Sequence, residues 1–199
     1  MRSLFLVSGG LDSTAGIYRF KEMDFDCLFF NYGQRSFRVQ SFYAEKNCRR
    51  LNKKFMKIDL QNLGNYFSSG KWMRPHEPIT HRNSVIIPIA LAFASENGYE
   101  SVYSFLVNEE CRYETNKPMI ISSLRELARS LRVNLVFPFL GLSKSFVLKL
   151  GLQAGMDPKM TYSCILGHKY HCGKCSQCEL RKLAFIEAGL KDPTLYQVI

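Results

Sequence analysis

Ser8-Gly9-Gly10-Leu11-Asp12-Ser13 stands between an apolar run, Ser3 to Val7, and a stretch from Leu11 to Phe20 whose Leu11, Ala15 and Tyr18 recur at helical spacing. Strand, glycine turn and helix in that order form the opening unit of an α/β sheet, where ligands bind at the carboxyl end of the strand. The string suits a polyphosphate. Two glycines remove Cβ atoms so that backbone N–H groups can approach anionic oxygens, Ser8 and Ser13 add hydroxyl donors, and the helix amino terminus adds partial positive charge. Asp12 beside phosphate is either a helix cap or a ligand of a Mg²⁺ that the phosphates share. The chain contains neither a G-x₄-G-K-[ST] loop nor a G-x-G-x-x-G fingerprint.

Outward from this unit, strands and helices alternate. Cys27 to Phe30, Phe55 to Leu60, Ser101 to Val107 and Val133 to Phe137 read as further strands; Ser36 to Leu51, Asn83 to Glu96, Met119 to Leu131, a segment beginning at Ser143, and Cys178 to Ala188 read as helices. Pro88 is expected in or near a first turn, or at a kink. Gln61 to Thr80 has no clear period and holds Gly64, Gly70, Pro75 and Pro78, the profile of a long loop that could serve as a lid. The alternation predicts a doubly wound α/β fold: one domain over residues 1–199, with a parallel five-stranded sheet and a small carboxy-terminal metal-bearing appendage over 160–190.

The composition agrees: 199 residues, 46% hydrophobic and 22% charged, exclude disorder and supply a core without help from disulfides. The net charge of +10 favours anionic partners such as nucleotides, nucleic acid or acidic surfaces without choosing among them. No apolar run is long enough to span a bilayer and the first residues lack a signal-peptide pattern, so a cytoplasmic protein is expected.

Of seven cysteines, Cys164, Cys172, Cys175 and Cys178 crowd into 15 residues while Cys27, Cys48 and Cys111 stand apart. Clustered thiols at C-x₇-C-x₂-C-x₂-C spacing match the four soft ligands of a tetrahedral Zn²⁺, with His168 and His171 as alternative ligands and an iron–sulfur cluster as the rival occupant. A saturated four-thiolate shell leaves no open position for substrate, which assigns the metal a structural role.

The S-G-G-x-D-S string resembles the pyrophosphatase (PP) loop of ATP-dependent adenylating enzymes, the adenine nucleotide alpha hydrolase-like group. Taken with Asn31-Tyr32-Gly33-Gln34-Arg35, Arg82-Asn83, Leu142-Ser143-Lys144, and Cys164 with Cys172-Gly173-x-Cys175-x₂-Cys178-x₂-Arg181-x₂-Ala184-Phe185, the chain resembles the 7-cyano-7-deazaguanine synthase (QueC) family nearly end to end. The resemblance implies an ATP-dependent carbon–nitrogen ligase of the queuosine type. It would convert 7-carboxy-7-deazaguanine to a nitrile with ammonia, releasing AMP and pyrophosphate, usually as a homodimer. It further implies that Ser8, Gly9, Gly10, Leu11, Asp12 and Ser13 hold ATP and its Mg²⁺. Lys144 with Arg35 or Arg82 would neutralise charge at the α-phosphate, and Zn²⁺ would sit on Cys164, Cys172, Cys175 and Cys178.

The chain departs from the family pattern at four places. Asn31 stands where an aspartate is usual, Ser36 where a histidine is common, and Gly141 where an aspartate precedes Leu-Ser-Lys. The family's Tyr-Pro-Asp-Cys-Arg-Pro segment, associated with the deazaguanine, is here Tyr113-Glu114-Thr115-Asn116-Lys117-Pro118, with Glu109, Glu110 and Glu114 nearby as replacement carboxylates. These departures leave an alternative: a QueC-like antiphage-defence enzyme that delivers the activated acid to a protein amino terminus. Two other readings carry less weight. A tRNA sulfur transferase would need a catalytic cysteine pair and an RNA-binding domain, neither evident here, so nucleic acid is not the expected partner; an ATP-sensing zinc module would not need the intact loop.

Overall fold

The computed structural model describes residues 2–62 and 81–197. Five strands, β1 (Ser3–Leu6), β2 (Phe25–Asn31), β3 (Phe55–Asp59), β4 (Ser101–Tyr103) and β5 (Asn134–Val136), form one sheet in the order β3-β2-β1-β4-β5. Every pairing is parallel, with Ser3 beside Phe25 on one side and beside Ser101 on the other. Parallel neighbours require crossover helices, and the chain supplies α1 (Leu11–Arg19), α2 (Phe37–Arg50), α3 (Arg82–Glu96), α4 (Pro118–Ser130), α5 (Lys144–Gln153) and α6 (Ser176–Ala188). No helix among the described residues is long and apolar enough to cross a membrane.

The two-residue alternation of the strands builds two cores. Phe5, Phe25, Cys27 and Phe29 face α1, α2, α5 and α6, meeting Ala15, Cys48, Val147 and Ala184. Leu4, Leu28, Phe30 and Val102 face α3 and α4, meeting Ile87, Leu91 and Leu124. Both faces are covered, which explains why the strands read as continuous apolar runs. Phe5, which pairs with Cys27, stacks diagonally on Phe25 across β1 and β2, with ring centroids 3.9 Å apart. The order places β1 between strands whose connections run to opposite faces, so the sheet opens at the carboxyl ends of β1 and β4, the topological switch point.

The structure trims three expectations. The fourth strand pairs only over Ser101–Tyr103, although the chain stays buried through Val107. Residues 105–107 are apolar because they line the crevice and the core behind it. Pro88 lies in the interior of α3, beyond its first turn, where its missing N–H leaves the Ser84 carbonyl without an i+4 partner. The expected lid lies outside the described residues except for Gln61 and Asn62.

Gly16 shows how tightly α1 sits on the sheet. A Cβ there would lie 2.2 Å from the Phe105 ring. Gly16→Ala is therefore expected to destabilise by about 1–3 kcal/mol through overpacking, read as a lower melting temperature in a thermal scan, despite alanine's better helix propensity.

Candidate active site and cysteine cluster

The glycine turn is held in one conformation from two sides. Gly9 has φ of +72°, and a Cβ on it would meet the Gln40 carbonyl of α2 at 2.2 Å, so only glycine fits. Its own carbonyl accepts the Tyr162 N–H at 2.7 Å. Ser8 and Ser13 close the turn: their hydroxyls lie 3.0 Å apart, and Ser13 Oγ accepts the Ser8 N–H at 3.1 Å. The helix cap is Gly10, with no side-chain cap, so Asp12 does not serve that role. The amino end of α1 is left to receive an anion.

Asp12 instead pairs through Oδ2 with Lys144 Nζ, the first residue of α5. Its other oxygen, Oδ1, is buried and has no hydrogen-bond partner among the described residues, which fits a ligand to a cation. Ser143 caps α5 by accepting the Phe146 N–H at 3.2 Å, and the Glu109 carboxylate accepts the Lys144 backbone N–H at 2.9 and 3.0 Å. Burial pulls the Lys144 pKa down, but the carboxylates of Asp12 and Glu110 outweigh it, leaving it above the ordinary lysine value. Lys144, 5% exposed, is thus a buried cation at the crevice.

Arg82, the first residue of α3, enters the same cavity from the opposite face of the sheet. Burial opposes its charge, but Tyr32 and Glu110 prevail and its pKa is raised. Arg35 also lines the cavity, at an exposed position on its rim. The three basic residues singled out from sequence therefore converge on the glycine turn, with Arg82 and Lys144 inside and Arg35 at the edge.

The altered segment borders this cavity, but its polar groups are engaged in the wall. Thr115 Oγ1 accepts the Ser84 N–H at 3.1 Å, capping the first turn of α3. The Asn116 carboxamide accepts from Asn83 at 2.6 Å and donates to the Glu110 carbonyl at 3.0 Å. Of the three nearby glutamates, Glu109 is spent on α5 and Glu114 is exposed; Glu110 alone lines the cavity. Burial pushes its carboxyl up, Asp12 adds to the rise, and Lys144 and Arg82 offset part of it.

Asn31 has its own explanation. Its Nδ2 donates to Asp59 Oδ2 at 2.9 Å while its Oδ1 accepts the Gly33 N–H at 3.2 Å, a turn in which a second carboxylate would face the first. The Gln61 N–H and this carboxamide hold the Asp59 carboxyl below its ordinary range. Gly141 has φ of +85°, a backbone state that favours glycine over aspartate. Ser36 is buried at the amino end of α2, and its carbonyl accepts the Gln40 N–H.

The cysteine cluster forms as expected, without histidine. The sulfurs of Cys164, Cys172, Cys175 and Cys178 lie within 4.8 Å of one another and all four residues are buried. Two S–S separations are 4.0 Å, close to the roughly 3.8 Å edge of a tetrahedron with 2.3 Å metal–sulfur bonds. Backbone N–H groups of Lys174 and Cys175 point at Cys172 Sγ at 3.5 and 3.3 Å, which favours a thiolate. His171 Nε2 accepts the Ser163 N–H at 3.0 Å and His168 is exposed, so neither joins the cluster. The four residues fit a metal, whether a zinc ion or an iron–sulfur cluster.

The cysteine-bearing appendage also forms part of the cavity wall. Tyr162, Ser163, Ile165, Leu166 and Gln177 all line the cavity. The segment is locked to the body by Arg181, 1% exposed, which donates to Thr161 Oγ1 at 2.7 Å, Thr194 Oγ1 at 2.6 Å and the Pro158 carbonyl at 2.8 Å. Local spacing reveals the four-cysteine cluster, but nothing local reveals the Tyr162–Gly9 bond.

Three comparisons follow from this geometry. The family model described as Queuosine biosynthesis protein QueC matches residues 2–189. A 7-cyano-7-deazaguanine synthase 1 from Sulfurisphaera tokodaii is 54% identical over 198 residues, covering 98% of each chain. Among solved structures, the NMN synthetase of Francisella tularensis superposes with a TM-score of 0.57 at 13% identity, covering 96% of this chain and 78% of that one. The U34-tRNA thiolase NcsA of Methanococcus maripaludis, solved with its 4Fe–4S cluster, gives 0.57 at 16% identity, covering 94% of this chain and 64% of that one. These last two share the PP-loop ATPase fold.

Cys175→Ser is expected to strip the metal, measured by elemental analysis, which also separates zinc from iron. Because Tyr162 sits two residues before Cys164 and holds Gly9, the same variant should lower the melting temperature by more than about 5 °C and weaken ATP binding at least about 10-fold.

Proposed function

The chain belongs to the QueC family, and from that premise we propose that it converts 7-carboxy-7-deazaguanine to 7-cyano-7-deazaguanine with ATP and ammonia. The observation that carries this reading is the cavity itself. An anion-receptive helix end, two inward cations and an unsatisfied carboxylate oxygen meet there, beside apolar walls that include Leu6, Ile86 and Leu106.

A carboxylate resists amination because its charge repels nucleophiles and oxide is a poor leaving group; transfer of AMP to it removes both obstacles. In this cavity Ser8, Ser13 and the N–H groups at the start of α1 would receive the β- and γ-phosphates. Asp12 Oδ1 would hold the Mg²⁺, which when bound draws charge from the departing pyrophosphate. Lys144 and Arg82 approach from opposite sides, fixed in place before the substrate arrives, and stabilise the charge that develops on the α-phosphate oxygens. Such preorganised donors commonly contribute about 10²–10³ in rate each.

After ammonia displaces AMP, the product is an amide. Adenylating its oxygen allows dehydration to the nitrile, so two ATP are consumed per turnover. The zinc assigned to the four cysteines would stay away from the reacting atoms and brace the Gly9 carbonyl through Tyr162. A homodimer is the assembly that the family resemblance implies.

Incubating the protein with ATP, Mg²⁺ and 7-carboxy-7-deazaguanine should release AMP, and the nitrile should form only when ammonia is present. Acid-dependent AMP release with the acyl group captured by another amine would favour the protein-conjugating alternative. No AMP release would overturn the reading. Asp12→Asn keeps an oxygen acceptor for Lys144, so the fold should persist while acid-dependent pyrophosphate exchange falls at least about 100-fold.

A further inference from the structure

The reaction just described strips three protons from one nitrogen. Ammonia carries three hydrogens and the nitrile nitrogen none, so some group beside the reacting carbon must accept protons repeatedly. This inference rests on the amidation and dehydration proposed above and asks which side chain does that work.

The described residues lining the cavity leave few choices. No histidine is among them, and the carboxylates are Asp12 and Glu110. Lys144 and Arg82 are held in their charged forms and have no pair to offer. A phenol hydroxyl is a far weaker base than a carboxylate, which sets aside Tyr32, Tyr113 and Tyr162. Asp12 is engaged by Lys144 and faces the phosphate side of the cavity.

Glu110 differs in position and in support. It ends a short 3₁₀ turn, Asn108–Glu110, whose backbone is fastened on both sides: its N–H donates to the Val107 carbonyl at 3.1 Å. Its carbonyl accepts the Tyr113 N–H at 3.1 Å and the Asn116 carboxamide at 3.0 Å. The turn is therefore a rigid mount that aims one carboxylate into the cavity, as a working base requires. The charged groups that act on it are Lys144 from α5, Asp12 from α1 and Arg82 from α3, all of which line the same cavity. Its elevated pKa adds to that geometry, since a carboxylate basic enough to take a proton is more useful than an ordinary one.

We propose that the Glu110 carboxylate is the general base that removes protons from the captured nitrogen. In the first half, ammonia forms a C–N bond to the acyl adenylate; Glu110 takes one proton from that nitrogen as the C–O bond to AMP breaks, giving the amide. In the second half, the amide oxygen displaces pyrophosphate from another ATP. Glu110 then takes one proton to give the neutral imidate, and a second as the C–O bond breaks and the nitrile forms with AMP leaving. Between steps each proton passes to water at the cavity mouth.

The test separates the half-reactions. Glu110→Gln keeps size and shape, so acid-dependent pyrophosphate exchange should stay within about 3-fold of the unaltered protein. Formation of amide and nitrile should fall at least about 100-fold, with the acyl adenylate accumulating. Undiminished nitrile formation overturns the proposal. Loss of exchange together with a raised KM for the acid also overturns it, assigning Glu110 to gripping the heterocycle instead. If the unaltered protein lacks acid-dependent exchange, the activity reading falls, and the base with it. Should the glutamine variant fail to fold, Glu110→Asp, which withdraws the carboxylate by one methylene, is judged by the same split.

Discussion

The buried pairing of Asp12 with Lys144 joins the amino ends of two helices that lie 132 residues apart in sequence, at the point where the sheet opens. Such a pair is weak ground for stability, because removing two ions from water costs several kcal/mol each. Its value here is positional. With Glu110 and Arg82 added, the four charges inside the cavity sum to zero, so the site can be assembled without a large self-repulsion. The cavity so balanced presents two cations and the open amino end of α1, with one Asp12 oxygen left without a hydrogen-bond partner among the described residues. Glu109 and Ser143 fix the start of α5 so that Lys144 has little freedom to follow the substrate outward.

A second constraint acts on the glycine turn from outside the sheet. α2 presses its Gln40 carbonyl where any side chain on Gly9 would go, and the cysteine-bearing segment grips the Gly9 carbonyl through Tyr162. The turn is clamped between a helix and a metal-ligating loop. Arg181 ties that loop to the chain around Thr161 and Thr194 with a set of hydrogen bonds that satisfies its buried guanidinium. Burial pulls the Arg181 pKa down and Asp192 offsets part of the fall. Under the proposed function, a metal on the four cysteines would act through this clamp, by setting how rigidly the glycine turn is held, with no open coordination site needed.

Features carried by short-range spacing were legible in the sequence. The glycine string, the four cysteines and the alternation of apolar runs with helical periods each depend on residues within one turn or loop of one another. Features carried by distant partners were not. Thr115 and Asn116 look like lost recognition groups until Ser84 and Asn83, more than 30 residues earlier, are seen to use them. The fourth strand was overextended because apolarity reports burial, and Phe105, Leu106 and Val107 are buried by the cavity wall and the helices, beyond the last paired residue. Pro88 is expected in or near the first turn of α3 or at a kink because local rules penalise it inside a helix; it lies in the interior, where packing of Ile87, Ala90 and Leu91 on the sheet holds the helix together around it.

The departures from the family pattern then acquire a common physical character. An aspartate at position 31 would set its carboxylate against Asp59, and asparagine turns that conflict into a hydrogen bond. Glycine at 141 relieves a left-handed backbone, and the polar residues at 115 and 116 stitch a 3₁₀ turn to the first turn of α3. Each change alters how the wall is fastened without placing a new charge in the cavity. The requirement for a carboxylate near the acyl carbon is chemical and indifferent to which turn supplies it. A wall refastened by uncharged side chains leaves Glu110, on the preceding turn, free to face Arg82 and Lys144. The acceptor half of the site can thus diverge in sequence while Glu110, Arg82 and Lys144 keep their places in the cavity.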